Sequence, residues 1–348
     1  MTQAGGDPPS ADASSPPPTS APTEPGARGE SLDPAARLPG GKQGSEYWDL
    51  VAKLESGHFV FARLLLTNVG PGSHNAVMLG HVITPDGERQ AFRNGRRRSR
   101  WQLSDDRLKL DINKCHLDLH DDSALLVVRK SSVQLSLRFE LAGGARPPPG
   151  LLPDRYAAET LAANAPVQGT LKLADMTAPL EIRGTGAVTH SWTSEPEEER
   201  VVRRLDFFTL TPDLGLQLSE FRTPDGDVRR WLRATRAGRT VLESSRIELD
   251  ASGRLAGTPR RYPVEAKLRL IGKAAGGELT LGRLLHQQDP LDMIPQPLRG
   301  LIRWSLSQKP HQLWTTAPYD LWLQLAPGEA PTPLRGEGLA AIAFLRPQ

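Results

Sequence analysis

Apolar and polar residues alternate along much of the chain. The stretch "VQLSLRFEL" sets Val133, Leu135, Leu137, Phe139 and Leu141 on one side, with Gln134, Ser136, Arg138 and Glu140 on the other. "AKLRLIG" near 266 and "DLWLQLA" near 320 repeat the pattern. Successive side chains of a strand point to opposite faces, so a period of two predicts half-buried antiparallel strands. Turn chemistry separates them: "PDG" at 85 and again at 224, "SDD" at 104, "ASG" at 251 and "GG" at 276. Helical periodicity is best seen in "QPLRGLIRWSLSQ", residues 296 to 308, where Leu298, Leu301, Ile302 and Leu306 share a face. Many short strands with frequent turns predict an all-β fold of sandwiches or barrels with few short helices.

A faint duplication accompanies the pattern. "ITPDGER" at 83 and "RTPDGDV" at 222 carry the same four-residue turn, offset by 223 − 84 = 139 residues. Each is followed by a basic, Trp-containing stretch and a second polar turn, which suggests two copies of one β-fold. The charged "SEPEEER" places the boundary near 195, giving domains at 46–195 and 196–348. "AGGARPPPGLLPDR", 142 to 155, reads as an irregular loop inside the first.

Composition sets the first 45 residues apart. They hold nine prolines and no aromatic residue, the first being Tyr47. So little apolar surface does not offset the entropy of ordering, and residues 1–45 are expected to be a disordered tail. No signal peptide or membrane-length apolar run is visible, and the single cysteine, Cys115, fits a reducing cytoplasm. A net charge of +3 on 348 residues is too weak to imply nucleic-acid binding. The local run "RNGRRRSRW", Arg93 to Trp101, reads either as a phosphate-binding patch with a stacking Trp101 or as a solvated hairpin arm.

Two constellations could carry chemistry. "GTGAVTHSWT", Gly184 to Thr193, places His190 and Trp192 on one strand face with Val188 and Gly186. His190 is then either a cavity-facing donor beside an aromatic wall, or a hydrogen-bonded residue of the domain junction with Trp192 as core. "CHLDLH" lines up His116, Asp118 and His120, a spacing open to a metal, but Cys115, Leu117 and Leu119 opposite them read as core in and solvent out. Trp48, Phe208, Trp231, Trp314 and Trp322 are equally able to line a cavity or fill a core. No Gly-rich phosphate loop or nucleophile elbow is present, and no motif calls for a cofactor.

The order of motifs resembles the two-domain lipocalin-like superfamily that includes carotenoid 1,2-hydratases, AttH-type proteins, survival-factor proteins and lipocalin-like Diels–Alderases. The opening "EYW" is Glu46, Tyr47 and Trp48. "RYAAETLAANAPVQGTLKL" matches at Tyr156, Leu161, Gly169, Thr170 and Leu171. "GTGAVTHSWT" keeps Gly184, His190 and Trp192 of the junction strand. "LDFF" (Leu205 to Phe208), "SEFRTPDG" and "GEGLAAIAFL" (Gly336 to Leu345) follow in order, so the likeness runs from about 46 to 345. The acid before the family histidine is Thr189 here, the residue after it Ser191, the usual Tyr Ser219, and the closing Glu Ala341.

The resemblance implies two consecutive lipocalin-like β-barrel domains around an apolar cavity for a lipid, polyene or polyketide. His190 and Asp206, which follow the resembled pattern, are the candidate catalytic residues with Glu220, which merely lies beside that motif, and Trp48, Tyr156, Trp192, Phe208 and Trp231 are the candidate ligand contacts. Alkene protonation needs a strong, oriented acid, and most of the family's ionisable set is gone. The expectation is therefore an enzyme that promotes cyclisation or a related non-redox rearrangement of a polyene or polyketide by holding it in near-attack geometry. A lipid carrier and a carotenoid hydratase using Asp206 or Glu220 are the alternatives.

Overall fold

A computed structural model describes residues 32–69, 72–288, 311–326 and 328–346. The expected helix at 296–308 lies outside the described residues. Eleven strands build the first sheet: β1 (Ser45–Leu54), β2 (Phe59–Thr67), β3 (Asn75–Ile83), β4 (Arg89–Arg96), β5 (Gln102–Leu103), β6 (Lys109–Ile112), β7 (Cys115–Leu119), β8 (Ser123–Arg129), β9 (Val133–Glu140), β10 (Tyr156–Leu173) and β11 (Leu180–Thr193). The second holds β12 (Arg203–Phe208), β13 (Gly215–Arg222), β14 (Val228–Arg236), β15 (Arg239–Ser244), β16 (Ile247–Ser252), β17 (Lys267–Gly272), β18 (Ala275–Thr280), β19 (Leu284–Gln288), β20 (His311–Leu323) and β21 (Thr332–Phe344). Two short 3-10 turns, Arg98–Arg100 and Glu197–Glu199, are the helical segments among the described residues.

Each sheet is antiparallel and joins its first strand to its last. The first runs β4-β3-β2-β1-β11-β10-β9-β8-β7-β6-β5, and β12 pairs β21 in the second. The free edges of the first sheet curl towards each other, and Asn94 on β4 donates to the Ile112 carbonyl on β6. The result is a pair of nearly closed barrels. Their interiors are filled by side chains: Leu50, Leu64, Met78 and Phe139 in the first, Leu205, Phe207, Leu218 and Phe344 in the second. A third apolar cluster joins the domains, with Val51, Phe61 and Leu79 meeting Phe208, Leu210 and Trp314.

Several local expectations change in the fold. The Thr-Pro-Asp-Gly turns sit after β3 and after β13, the third hairpin of one domain and the second of the other, so they are not equivalent positions. Their likeness is turn chemistry: each Thr hydroxyl meets the Asp carboxylate two residues on, and Gly87 and Gly226 take φ of 96° and 94°. The predicted "GG" turn at 276 lies inside β18, where a Cβ on Gly276 would stand 2.7 Å from the Trp322 ring. Close packing, not a turn, needs that glycine. Residues 32–44, counted in the disordered tail by composition, form a strap on the first barrel with Leu32 and Ala36 in its core. A composition average overlooks two well-placed apolar residues. The 142–155 loop is pinned to the second domain by Arg233, whose Nη1 donates to the Gly143 carbonyl at 2.6 Å. On β7, Cys115, Leu117 and Leu119 are buried while His116 and Asp118 are half-buried on the outer face.

Candidate functional site

The pleat of β1 sorts the chemistry. Glu46, Trp48 and Leu50 point into the first barrel, while Tyr47, Asp49 and Val51 point towards the second domain. The partner strand β11 follows: His190 is in register with Trp48, and Ser191 with Tyr47. His190 therefore faces the barrel interior. Its Nε2 lies 2.8 Å from Glu46 Oε1, and its ring stacks on Trp48 at 4.4 Å and 11°. All three residues are fully buried. The Glu46 carboxylate also accepts the Arg37 N–H at 2.7 Å and the Leu38 N–H at 2.8 Å from the strap. Leu38 takes the left-handed conformation (φ 51°), which helps turn consecutive amides towards one anion. Trp192 is half-buried beneath the Arg37 guanidinium, 5.2 Å from its ring centre.

The expected catalytic trio is divided among three places. His190 is inside the first barrel. Glu220 is buried with Leu205 as its register partner, held by Arg222 at 2.9 Å and Arg230 at 2.8 Å, with Arg203 at 3.6 Å. Burial pushes its carboxyl up, but these guanidiniums, Arg222 foremost, outweigh that and hold it below the ordinary value. Such a carboxylate is a poor proton donor. Asp206 alone of the three reaches the space between the domains.

That space is a narrow cleft with about 30 Å³ of free room, enough for about two water molecules. Tyr47, Asp49, Arg63 and Thr189 line it from the first domain. Arg204, Asp206, Phe208, Trp314 and Ala341 line it from the second. Arg204 Nε donates to Asp206 Oδ2 at 2.5 Å, and its Nη1 reaches Tyr156 Oη at 3.0 Å and Ser191 Oγ at 2.9 Å. Ser219 donates to Asp206 Oδ1 at 2.6 Å. Asp49 grips Arg63 through two bonds of 2.6 Å. Burial raises the Tyr156 hydroxyl to about 12 despite Arg204. The Trp314 Nε1–H, buried at the wall, has no hydrogen-bond partner among the described residues. Nor has Gln217 Oε1, whose amide donates to Ser219 at 3.1 Å.

Beside the cleft, Tyr47 donates to Glu197 Oε1 at 2.6 Å. Glu197 is partly exposed as a residue, but its carboxyl turns inward. Burial raises its pKa, and the Tyr47 bond only partly opposes that. In the sequence, "SEPEEER" marks a boundary and nothing in it singles out this group. Nor does the sequence mark Arg204 and Tyr47 as site residues, although Tyr47 is in the opening motif. Of the named ligand contacts, Phe208 lines the cleft and Tyr156 joins it through Arg204. Trp48 and Trp192 belong with His190. Trp231 packs with Tyr156 and Phe221 at the domain joint, its N–H given to Glu243 at 2.8 Å.

No family model and no curated protein sequence matches the chain. Solved structures do. An AttH-type protein of Nitrosomonas europaea superposes with a TM-score of 0.62 at 11% identity, over 92% of this chain and 98% of that one. A structure of CghA with Sch210972 gives 0.62 at 11%, over 91% and 95%. Kievitone hydratase from Nectria haematococca gives 0.58 at 12%, over 92% and 97%. Identities this low carry the architecture, and with both barrels and their joint covered, the chain has the two-domain lipocalin-like fold of these proteins.

Proposed function

We propose that the chain is an enzyme that binds an apolar small molecule, bearing a carbonyl or hydroxyl, in the interdomain cleft and promotes a non-redox cyclisation or rearrangement there. One observation carries this reading: Thr189, Ser219 and Ala341, three positions where the chain lacks an ionisable residue of the pattern it resembles, meet with Ser191 at one cleft. Thr189 and Ala341 line it, Ser191 accepts from Arg204, and Ser219 donates to Asp206. Replacing acids and a phenol by small neutral groups lowers the site's capacity for proton transfer, and a chain enters only as the domains part, since the cleft as it stands has room for about two waters. Phe208 and Trp314 offer apolar walls, the Trp314 N–H an anchor for a ligand oxygen, and Arg204 a fixed positive charge held by Asp206. Holding reacting carbons in near-attack geometry lowers a barrier without a strong acid.

Hydration or dehydration is the second reading, favoured by the Tyr47–Glu197 pair, whose carboxyl stays protonated to higher pH than usual. The fold houses kievitone hydratase, so hydration suits the architecture. A lipid carrier is less well supported, because both barrel interiors are packed with side chains.

The test starts from solvent extraction of the purified protein and mass spectrometry of the bound molecule. Trp314→Phe keeps the ring and removes the N–H, so retention of that molecule should fall roughly threefold to tenfold, one hydrogen bond's worth. Incubation should convert the molecule's precursor to an isomer of equal mass. A product heavier or lighter by one water selects the second reading, and unaltered recovery selects a carrier.

A further inference from the structure

The run from Arg93 to Arg100 is left out of this function. It begins on the edge strand β4 and ends in the 3-10 turn Arg98–Arg100 at one end of the first barrel. Arg93, Arg97, Arg98 and Arg100 are exposed. Arg96, Arg97, Arg98 and Arg100 meet no carboxylate among the described residues, and Arg96 and Arg98 bond only to nearby backbone carbonyls. The nearest acidic turn is occupied with itself, since Asp106 accepts from Ser104 and the Leu108 N–H. Four like charges kept together without counter-charge repel one another, which costs stability unless an outside anion screens them.

The arm's root is rigid. Trp101 is buried, donates its N–H to the His74 carbonyl at 2.8 Å and lies 4.5 Å beneath the Arg98 guanidinium. It ties the arm to His74, whose own N–H is held by Asn68 at 2.6 Å, and Val69 next to Asn68 is 40% exposed. Trp101 is thus not available to stack on a base, and the described part of the arm has no other aromatic to do so. Single-stranded nucleic acid is held by such stacking as well as by charge. A blunt patch of arginines with no free aromatic ring suits a different partner.

We propose that this arm docks the protein on an anionic phospholipid surface. Its position gives the contact a purpose. Arg93 is in register with Leu79, and Leu79 packs in the same apolar cluster as Phe208 and Trp314 of the cleft. Docking would hold the margin of the interdomain face near the lipid in which an apolar substrate dissolves. This last step, but not the docking, rests on the function proposed above.

Co-sedimentation with phosphatidylcholine vesicles, with and without phosphatidylglycerol, tests the proposal on the full chain. The protein should pellet only with the anionic vesicles, and less as salt rises. Each basic side chain near such a surface is worth roughly fivefold in partitioning, so R97Q/R100Q should lose about 25-fold. Neither side chain has a hydrogen bond or ion pair among the described residues, so folding should not change. R260Q/R261Q, an exposed pair on the second domain with the same change in net charge, should bind as wild type does. Equal loss in both variants, or equal binding to both vesicles or to neither, would overturn the proposal. So would release by inorganic phosphate beyond that by chloride of equal ionic strength, or tighter binding to single-stranded RNA lost in R97Q/R100Q. Trp314→Phe should leave vesicle binding intact, and R97Q/R100Q should leave cleft ligand retention intact, so the two proposals fail separately.

Discussion

Glu46 and His190 form a buried pair whose carboxylate is held by one imidazole and two strap amides. A substitution of His190→Ala removes the imidazole and opens space beside the Trp48 ring, leaving a buried charge with fewer donors. Its cost should be about 3 kcal/mol in urea-induced unfolding, while retention of the cleft ligand changes little. The opposite result, normal stability with lost retention, would return His190 to the ligand. Strand alternation revealed that His190 and Trp192 share a face with Val188. It did not reveal which side of the sheet that face meets, nor that the carboxylate beside His190 is Glu46, from 144 residues earlier. Neighbouring letters carry no information about such a partner.

The alternating stretch at 133 to 141 forms β9 with Val133, Leu135, Leu137 and Phe139 buried, as period two requires. The errors at this scale come from glycine and from composition. Glycine permits turns, which makes "GG" at 276 a turn signal, whereas in β18 the missing Cβ of Gly276 makes room for Trp322. Gly276→Ala should therefore destabilise the second domain by about 1–3 kcal/mol by overpacking, measured by denaturant unfolding. An unchanged midpoint would mean that the Trp322 ring can move aside. The strap at 32–44 shows the converse error: its sequence resembles a linker, yet its amides supply two of the three contacts on Glu46. Only the folded barrel supplies the anion that makes those amides useful.

At the scale of the molecule, the domains meet through an apolar cluster and a polar cleft, and Glu197 in the connection after β11 closes against Tyr47 of β1. Its folded pKa lies above the ordinary 4.5. The folded state therefore holds more protons than the unfolded one in the window above 4.5, and this group's contribution to stability is lost as pH rises through it. Glu197→Gln should flatten that part of the stability profile, measured as Tm across mildly acidic pH. A profile unchanged by the substitution would remove Glu197 as the titrating group.

The sequence by itself determined the strands, their two faces and the all-β class, because period-two alternation is a local property that burial on one face enforces. The ordered motifs also pointed to two lipocalin-like domains. Only the tertiary structure decided which of those faces met which. Pairing of β1 with β11, and of β12 with β21, brings together residues far apart in the chain and turns adjacent residues to opposite sides. His190 was thereby sent into a packed barrel and Asp206 into a cleft, and Thr189, Ser191, Ser219 and Ala341 were gathered around one space. Contacts across that much chain depend on register and closure, which no single stretch of sequence encodes.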